Sequence, residues 1–300
     1  MADLAVHSGG ILDRRSLIKA ALLMVAAPAR AAEPQRVACL DYALAETMLA
    51  LGKVPSALPE TTDWTRWVVE PPLPASVVNL GTDREVNLEL LQSLKPDLIL
   101  STPYLAEITS LLERIAPVEI YGIYEEGGAS PLPRAIEVTR RIAERLEATE
   151  AGGRLIASTT ERFALDRTRL GRSADLPVLA VSFMDARHVR VYGAKSLFQD
   201  VLEALGLANA WRGETNYWGF ATVGIEALAD WGAATLVYLD PLPPDALPTL
   251  ERSSLWRALP FVREQRLARL APVLMFGALP SAQRFSRLLT NALDSVPFRG

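Results

Sequence analysis

The chain has 300 residues, half of them hydrophobic, and carries 31 basic against 35 acidic side chains for a net charge of −4. That length and apolar content support one large core or two ordinary ones and exclude pervasive disorder, while the slight acidity counts against nucleic acid as a partner. A single cysteine, Cys39, and two histidines, His7 and His188, exclude an intrachain disulfide and any Cys- or His-rich metal site.

The first elements read as an address. Asp13-Arg14-Arg15-Ser16-Leu17-Ile18-Lys19 leads into the apolar run Ala20–Ala27, too short to span a bilayer. Pro28-Ala29-Arg30-Ala31-Ala32 then supplies small residues of the kind a signal peptidase reads. The arrangement has the form of a twin-arginine export signal with cleavage near Ala31, which places the mature chain in the periplasm. An N-terminal amphipathic helix is the alternative.

Arg36–Leu40 is a short strand, and a helix through Ala45–Leu51 stops at Gly52. Val77–Leu80 is a further strand, Asn87 is placed to cap a helix over Leu88–Leu94, and Leu98–Leu100 is a strand of the buried type. Ile136, Ile142, Ala143 and Leu146 mark a helix that keeps Arg140, Arg141 and Arg145 outside. Gly152-Gly153 is a possible break before a second helical stretch, and Pro177–Val181 restarts the strand pattern. Apolar runs alternating with helical patterns predict α/β structure with mostly parallel sheets covered on both faces.

The second half echoes the first. Tyr42–Gly52 aligns with Ser196–Gly206, so that Glu46 matches Asp200, and Leu88-Glu89 leading to Asp97–Leu100 aligns with Ile225-Glu226 leading to Thr235–Tyr238. Two lobes of similar build follow, at 32–149 and 173–300, with a bridging helix over 150–172. A cleft between such lobes is a natural ligand site.

Catalytic constellations are thin. Neither Gly-x-Ser-x-Gly, Gly-x-Gly-x-x-Gly nor His-Glu-x-x-His occurs, and Gly193-Ala194-Lys195-Ser196 lacks the glycines of a phosphate loop. His188 lies in the alternating segment His188–Tyr192, where a surface position outweighs a catalytic one. The aromatic residues say more. Trp64 and Trp67 fall in one polar, Pro-containing loop, and Trp211, Tyr217, Trp218 and Phe220 in a second, Gly-containing one, which predicts an aromatic-walled cleft for a bulky, partly apolar ligand.

Several segments resemble one family closely. They are Arg66-Trp67-Val-Val-Glu70-Pro-Pro-Leu-Pro74, Asn87–Leu91, Arg187-His188 with Gly193-x-x-Ser196–Gln199, and above all Asn209-Ala-Trp211-x-Gly-Glu-Thr-Asn216-Tyr-Trp218-Gly. Trp256–Val262 and Gly277-Ala278 with Ser281-Ala282 extend the likeness. It is to the periplasmic binding proteins for ferric hydroxamate siderophores. The resemblance implies two Rossmann-like lobes joined by one long α-helix, the class III architecture of these binding proteins. It further implies a monomer that delivers the chelate to an inner-membrane ABC permease and its ATPase, with no enzymatic activity and no cofactor. The cargo iron arrives already saturated by six oxygens of its chelator, so the protein needs no metal ligands.

By the same resemblance Tyr104 is the phenol donor and Trp67 and Trp218 are walls, with Tyr42, Trp211, Asn216 and Phe183 around them. The family's ligand-facing arginine follows Gly-x, where this chain has Gly81-Thr82-Asp83-Arg84; Asp83 takes its place, and Arg84 is expected to reach the ligand across a one-residue shift. Leu274 and Phe276 stand where the family has Trp and Tyr, so one wall and one hydroxyl are lost. Glu107 and Glu226, one per lobe, are candidates for docking to permease arginines, with a solvated helix face as the other reading. Cobalamin or another siderophore is a variant ligand, haem is disfavoured for want of axial ligands, and a periplasmic enzyme exported folded is the reading from a different class.

Overall fold

The computed structural model describes residues 36–125, 127, 130–171 and 177–295. The export segment predicted over 1–31 lies outside them. In the first lobe β1 (Val37–Cys39) leads to α1 (Tyr42–Ala50), β2 (Ala57–Leu58), the short α2 (Trp64–Trp67), β3 (Val78–Asn79), α3 (Leu88–Ser93), β4 (Leu98–Ser101), α4 (Thr109–Leu112) and β5 (Val118–Ile120). The strands lie in the order β3-β2-β1-β4-β5, all parallel. Alternation along β1 and β4 sends Val37, Cys39, Leu98 and Leu100 into one core and Ala38, Leu40 and Ile99 into the other. Asn87 caps α3 as the sequence predicts, its Oδ1 accepting from the Leu90 amide at 2.9 Å.

Helices α5 (Pro131–Arg145) and α6 (Thr149–Leu170) carry the chain across. The predicted break at Gly152-Gly153 is absent, and α6 runs through both glycines. The reason for glycine is contact: a Cβ added at Gly152 would fall 2.5 Å from that of Ala143, so α5 and α6 approach closely there. Leu155 and Ile156 of α6 pack on the first lobe's core, and Phe163 and Leu170 are buried in the second's.

The second lobe comprises β6 (Val178–Phe183), β7 (His188–Tyr192), α7 (Leu197–Leu205), β8 (Phe220–Gly224), a 3-10 segment over Ile225–Trp231, β9 (Thr235–Leu239), the short helices α8 (Ala246–Arg252), α9 (Ser254–Ala258) and α10 (Pro260–Arg263), β10 (Leu267–Leu270) and α11 (Leu279–Ser295). Its order is β10-β9-β6-β7-β8. Here the expectation of a mostly parallel sheet fails on one side, because β7 pairs antiparallel with both β6 and β8. Only four residues separate β6 from β7, too few for a parallel crossover. Asp185 closes that turn, its Oδ1 accepting from the amides of Arg187 and His188. No helix among the described residues is long and apolar enough to cross a membrane.

The matched carboxylates of the internal repeat have matched jobs. Glu46, on α1, accepts from the Ala278 amide at 2.5 Å, the Ser281 amide at 3.3 Å and the Ser281 hydroxyl at 2.6 Å, all at the start of α11. Asp200, on α7, accepts from the Leu132 amide at 2.7 Å at the start of α5. Each lobe thus caps a helix that packs against the other. Gly277 makes room for this, since a Cβ there would collide with the Ser281 hydroxyl and approach Glu46. Leu274, Ala278 and Leu279 are buried with first-lobe residues, while Ala282, Phe285 and Leu289 are buried in the second lobe.

Candidate functional site

A cavity opens where the C-terminal ends of the first lobe's strands face the second lobe, the usual place for a ligand on an α/β sheet. Its first-lobe side is formed by Leu40-Asp41, Asp83, the segment Thr102–Leu105 after β4 and Tyr121–Tyr124 after β5. Arg190 of β7, Trp218, Phe220 of β8 and Phe276 form the other side. The empty space, counted out to the open mouth, is about 1150 Å³.

The aromatic wall is continuous across the lobes. Trp218 is its hub, with ring centroids 6.2 Å from Tyr104, 6.2 Å from Tyr124 and 5.1 Å from Phe276. Phe276 in turn stands 5.7 Å from Tyr124, edge to face, and 6.2 Å from Phe220. Such a surface binds by area and shape.

Two donors in it are uncommitted. Tyr104 is 57% exposed, and its hydroxyl has no hydrogen-bond partner among the described residues. Arg190 lies with its guanidinium carbon 4.9 Å from the Phe220 ring centroid, makes a long contact to Met275 Sδ at 3.7 Å, and pairs with no carboxylate among the described residues. Its Nε is buried without a hydrogen-bond partner among the described residues. A guanidinium so placed is a donor waiting for an oxygen, because an unpaired buried N–H costs about 1–3 kcal/mol. Tyr124 differs: its hydroxyl donates to the Gly277 carbonyl at 2.9 Å, and burial holds it well above the ordinary phenol value. Asp41 is occupied as the cap of α1, accepting from the Leu44 amide at 3.0 Å, and desolvation pushes its carboxyl up to about 6.

Of the residues singled out from the sequence, Tyr104, Trp218, Phe220 and Phe276 line this cavity together. The rest stand elsewhere. Arg84 is exposed and outside the lining, whereas Asp83 is within it. Tyr42 donates to the Glu60 carbonyl at 2.5 Å and packs edge to face on Trp64. Trp67 is half-buried against the first lobe's core under the Arg66 guanidinium, and Trp64, read from sequence as part of an exposed loop, is 1% exposed in that core. Phe183 is buried between Tyr238 and Trp256, because its place at the end of β6 points it into the second lobe.

Trp211 and Asn216 are scaffold. Trp211 lies tilted against Trp231, ring centroids 5.4 Å apart, and covers Gly193 and Gly213, where any Cβ would strike its ring. Asn216 accepts through Oδ1 from the amides of Trp218 at 3.0 Å and Phe220 at 3.2 Å, which fixes the loop that presents Trp218. Asn209 does the same upstream, accepting from the Trp211 amide and donating to the Tyr192 carbonyl. Glu107 and Glu226 are exposed, each in a 3-10 segment of its own lobe.

Sequence reasoning did not find Arg190 or Tyr124. Arg190 sits between the core residues Val189 and Val191, so strand alternation turns it away from their core. Tyr124 follows β5, at the end of a parallel strand where sites gather.

Comparison with known proteins identifies the family. Residues 37–274 match the periplasmic binding protein family. The iron(3+)-hydroxamate-binding protein FhuD of Escherichia coli K12 is 35% identical over 289 residues, 94% of this chain and 97% of that protein. The crystal structure of the siderophore-binding protein FhuD of Vibrio cholerae with Fe3+–Desferal bound superposes with a TM-score of 0.83 at 29% identity, covering 88% of this chain and 99% of that one. The petrobactin-binding protein YclQ of Bacillus subtilis shares the fold, with a TM-score of 0.72 at 15% identity over 88% of this chain and 93% of that one. The chain belongs to the periplasmic binding protein family, on the branch that holds the iron(3+)-hydroxamate-binding proteins.

Proposed function

We propose that the protein binds ferric hydroxamate chelates in the inter-lobe cavity and hands them to an inner-membrane ABC importer. The observation that carries this reading is a continuous aromatic wall with two uncommitted donors, Tyr104 and Arg190, one from each lobe. A ferric hydroxamate presents polarised oxygens around a metal that needs no further ligand, and hydrocarbon arms between them. Donors for the oxygens and aromatic area for the arms are what such a ligand requires. Among the described residues no group of His, Cys, Asp and Glu is arranged to hold a metal ion; in this reading the iron is cargo, held through its chelator. Arg190, on the opposite lobe, takes the role the resemblance gave to an arginine near position 84.

Family members are substrate-binding transport proteins, which supports delivery over catalysis. Glu107 and Glu226, exposed and one per lobe, are the proposed contacts with permease cations. Export with cleavage near Ala31 completes the route to the periplasm, where the protein acts as a monomer without a cofactor.

The test is a titration of intrinsic tryptophan fluorescence, Trp218 being at the ligand. A ferric tris-hydroxamate should quench saturably below about 10 μM, roughly −7 kcal/mol of affinity, and the iron-free chelator should bind far more weakly. Equal quenching by both forms, or none by the ferric one, would contradict the reading.

A further inference from the structure

The charges facing the cavity are arranged asymmetrically. The second lobe offers a guanidinium, Arg190, while the first offers the carboxylates of Asp41 and Asp83. Asp41 is spent on capping α1. Asp83 is not: it is exposed at the mouth and forms no ion pair with any described residue. It is also not alone: Glu60 and the Tyr42 phenol are held above their ordinary values first by burial and then by the neighbouring carboxylates, Asp83 and Asp63 acting on both and Glu60 on Tyr42. Arg84 is the nearby cation, and it partly offsets the field at Glu60 from outside the cavity lining. Asp83 therefore puts negative charge on the first-lobe side of the cavity, whereas the second lobe supplies Arg190.

A neutral tris-hydroxamate complex of Fe3+ gives such a carboxylate nothing to bind. A chelate whose chain ends in a protonated amine does: with its oxygens toward Arg190 and Tyr104, the ammonium is free to meet the acidic first-lobe rim. We infer that Asp83 makes the site selective for ferric hydroxamates that carry a free ammonium group. The inference rests on the hydroxamate reading above. It places a specificity-determining residue on the first lobe, with Glu60 and Asp63 as neighbouring carboxylates. Because the contact is solvent-exposed, its strength should be that of a surface ion pair, up to about 1 kcal/mol or roughly 5-fold in affinity, and it should weaken as salt shortens the Debye length.

The experiment compares ferric desferrioxamine B, which ends in an ammonium, with its ferric N-acetyl derivative, which has the same hydroxamates and no charge. Both are titrated into the wild type, Asp83→Asn and Asp83→Arg at about 20 mM and 0.5 M salt, the range over which the Debye length falls several-fold. The wild type should prefer the ammonium form roughly 5-fold at low salt and less at high salt. Asp83→Asn should bring the two chelates to within about 2-fold by weakening only the charged one, and Asp83→Arg should reverse the order. Equal binding of both chelates by the wild type at low salt, or a preference unchanged in Asp83→Asn, would overturn the inference while leaving the hydroxamate reading intact. Failure of both chelates to bind would overturn both.

Discussion

Glu46→Ala should lower the unfolding free energy by about 3 kcal/mol or more, because three buried donors lose their acceptor at about 1–3 kcal/mol each. The side chain is fully buried, and its loss leaves the amides of Ala278 and Ser281 and the Ser281 hydroxyl without their acceptor. It also removes a negative charge from the positive end of α11. Glu46→Gln should cost much less, since its carbonyl accepts from the two amides and its NH2 donates to the Ser281 hydroxyl. Denaturant unfolding of the three proteins measures this; an alanine variant as stable as the glutamine one would contradict the capping role.

The same carboxyl carries a pH signature of defined sign. Burial is the dominant cause that raises it from 4.5 to about 7, against the lowering effect of its hydrogen bonds. The folded state therefore binds the proton more tightly than the unfolded chain. The resulting stability is present in full below about pH 4.5 and lost as pH rises through about 7. Relative to Glu46→Gln, the wild type should lose on the order of 3 kcal/mol between pH 4.5 and 8, at about 1.4 kcal/mol per pKa unit. Asp41 and Asp200, each raised to about 6 mainly by desolvation, act in the same direction between their ordinary 3.8 and 6. Asp185, held low chiefly by its hydrogen bond to His188, acts in the opposite sense. The difference from Glu46→Gln isolates the one group.

Trp218→Ala should weaken ferric hydroxamate binding by about 2–4 kcal/mol, the range for a central aromatic anchor. Trp218 touches Tyr104 and Tyr124 of one lobe and Phe276 of the other, so its removal opens the wall on both sides. Arg190→Leu should follow with a loss of about 1.5–3 kcal/mol, as expected for hydrogen bonds from a charged donor. Arg84→Ala serves as the contrast and should change affinity by less than about 0.5 kcal/mol, as for a surface residue away from the site. Calorimetric titration distinguishes these outcomes. A larger loss from Arg84→Ala than from Arg190→Leu would return the cationic donor to the first lobe.

Much of the fold was legible because it rests on periodicity and capping. The Asn87 cap, the alternating strands around Val37–Cys39 and Leu98–Leu100, and the Glu46–Asp200 correspondence all read directly from residue type and spacing. The repeat was less regular at its second pair, where the α-helix Leu88–Ser93 answers to a 3-10 segment over Ile225–Trp231. The antiparallel β7 was foreshadowed by the four-residue Asp-containing turn at 184–187, but parallel α/β patterning on either side overrode that local signal.

The site was half legible. Trp218, Tyr104 and Phe276 came from motif positions, yet most of the Asn209–Gly219 motif turns out to build the loop. Sequence identity marks Asn209, Trp211 and Asn216 as strongly as Trp218, and only tertiary contact separates the residue that faces the cavity from those that hold it. Trp64 and Trp67 misled for a related reason. A Pro-rich context suggests an exposed loop, whereas the Trp64 indole N–H finds the Pro71 carbonyl at 2.8 Å and the ring goes into the core.

On the proposed function the metal stays inside its chelator, which sets the protein apart from an iron-binding protein proper. Equilibrium dialysis against a ferric hydroxamate labelled on both iron and chelator reads this out. One iron and one chelator should be retained per chain, together, with half-saturation below about 10 μM, and Arg190→Leu should release both labels equally. Iron retained without chelator, or neither label retained, would contradict it.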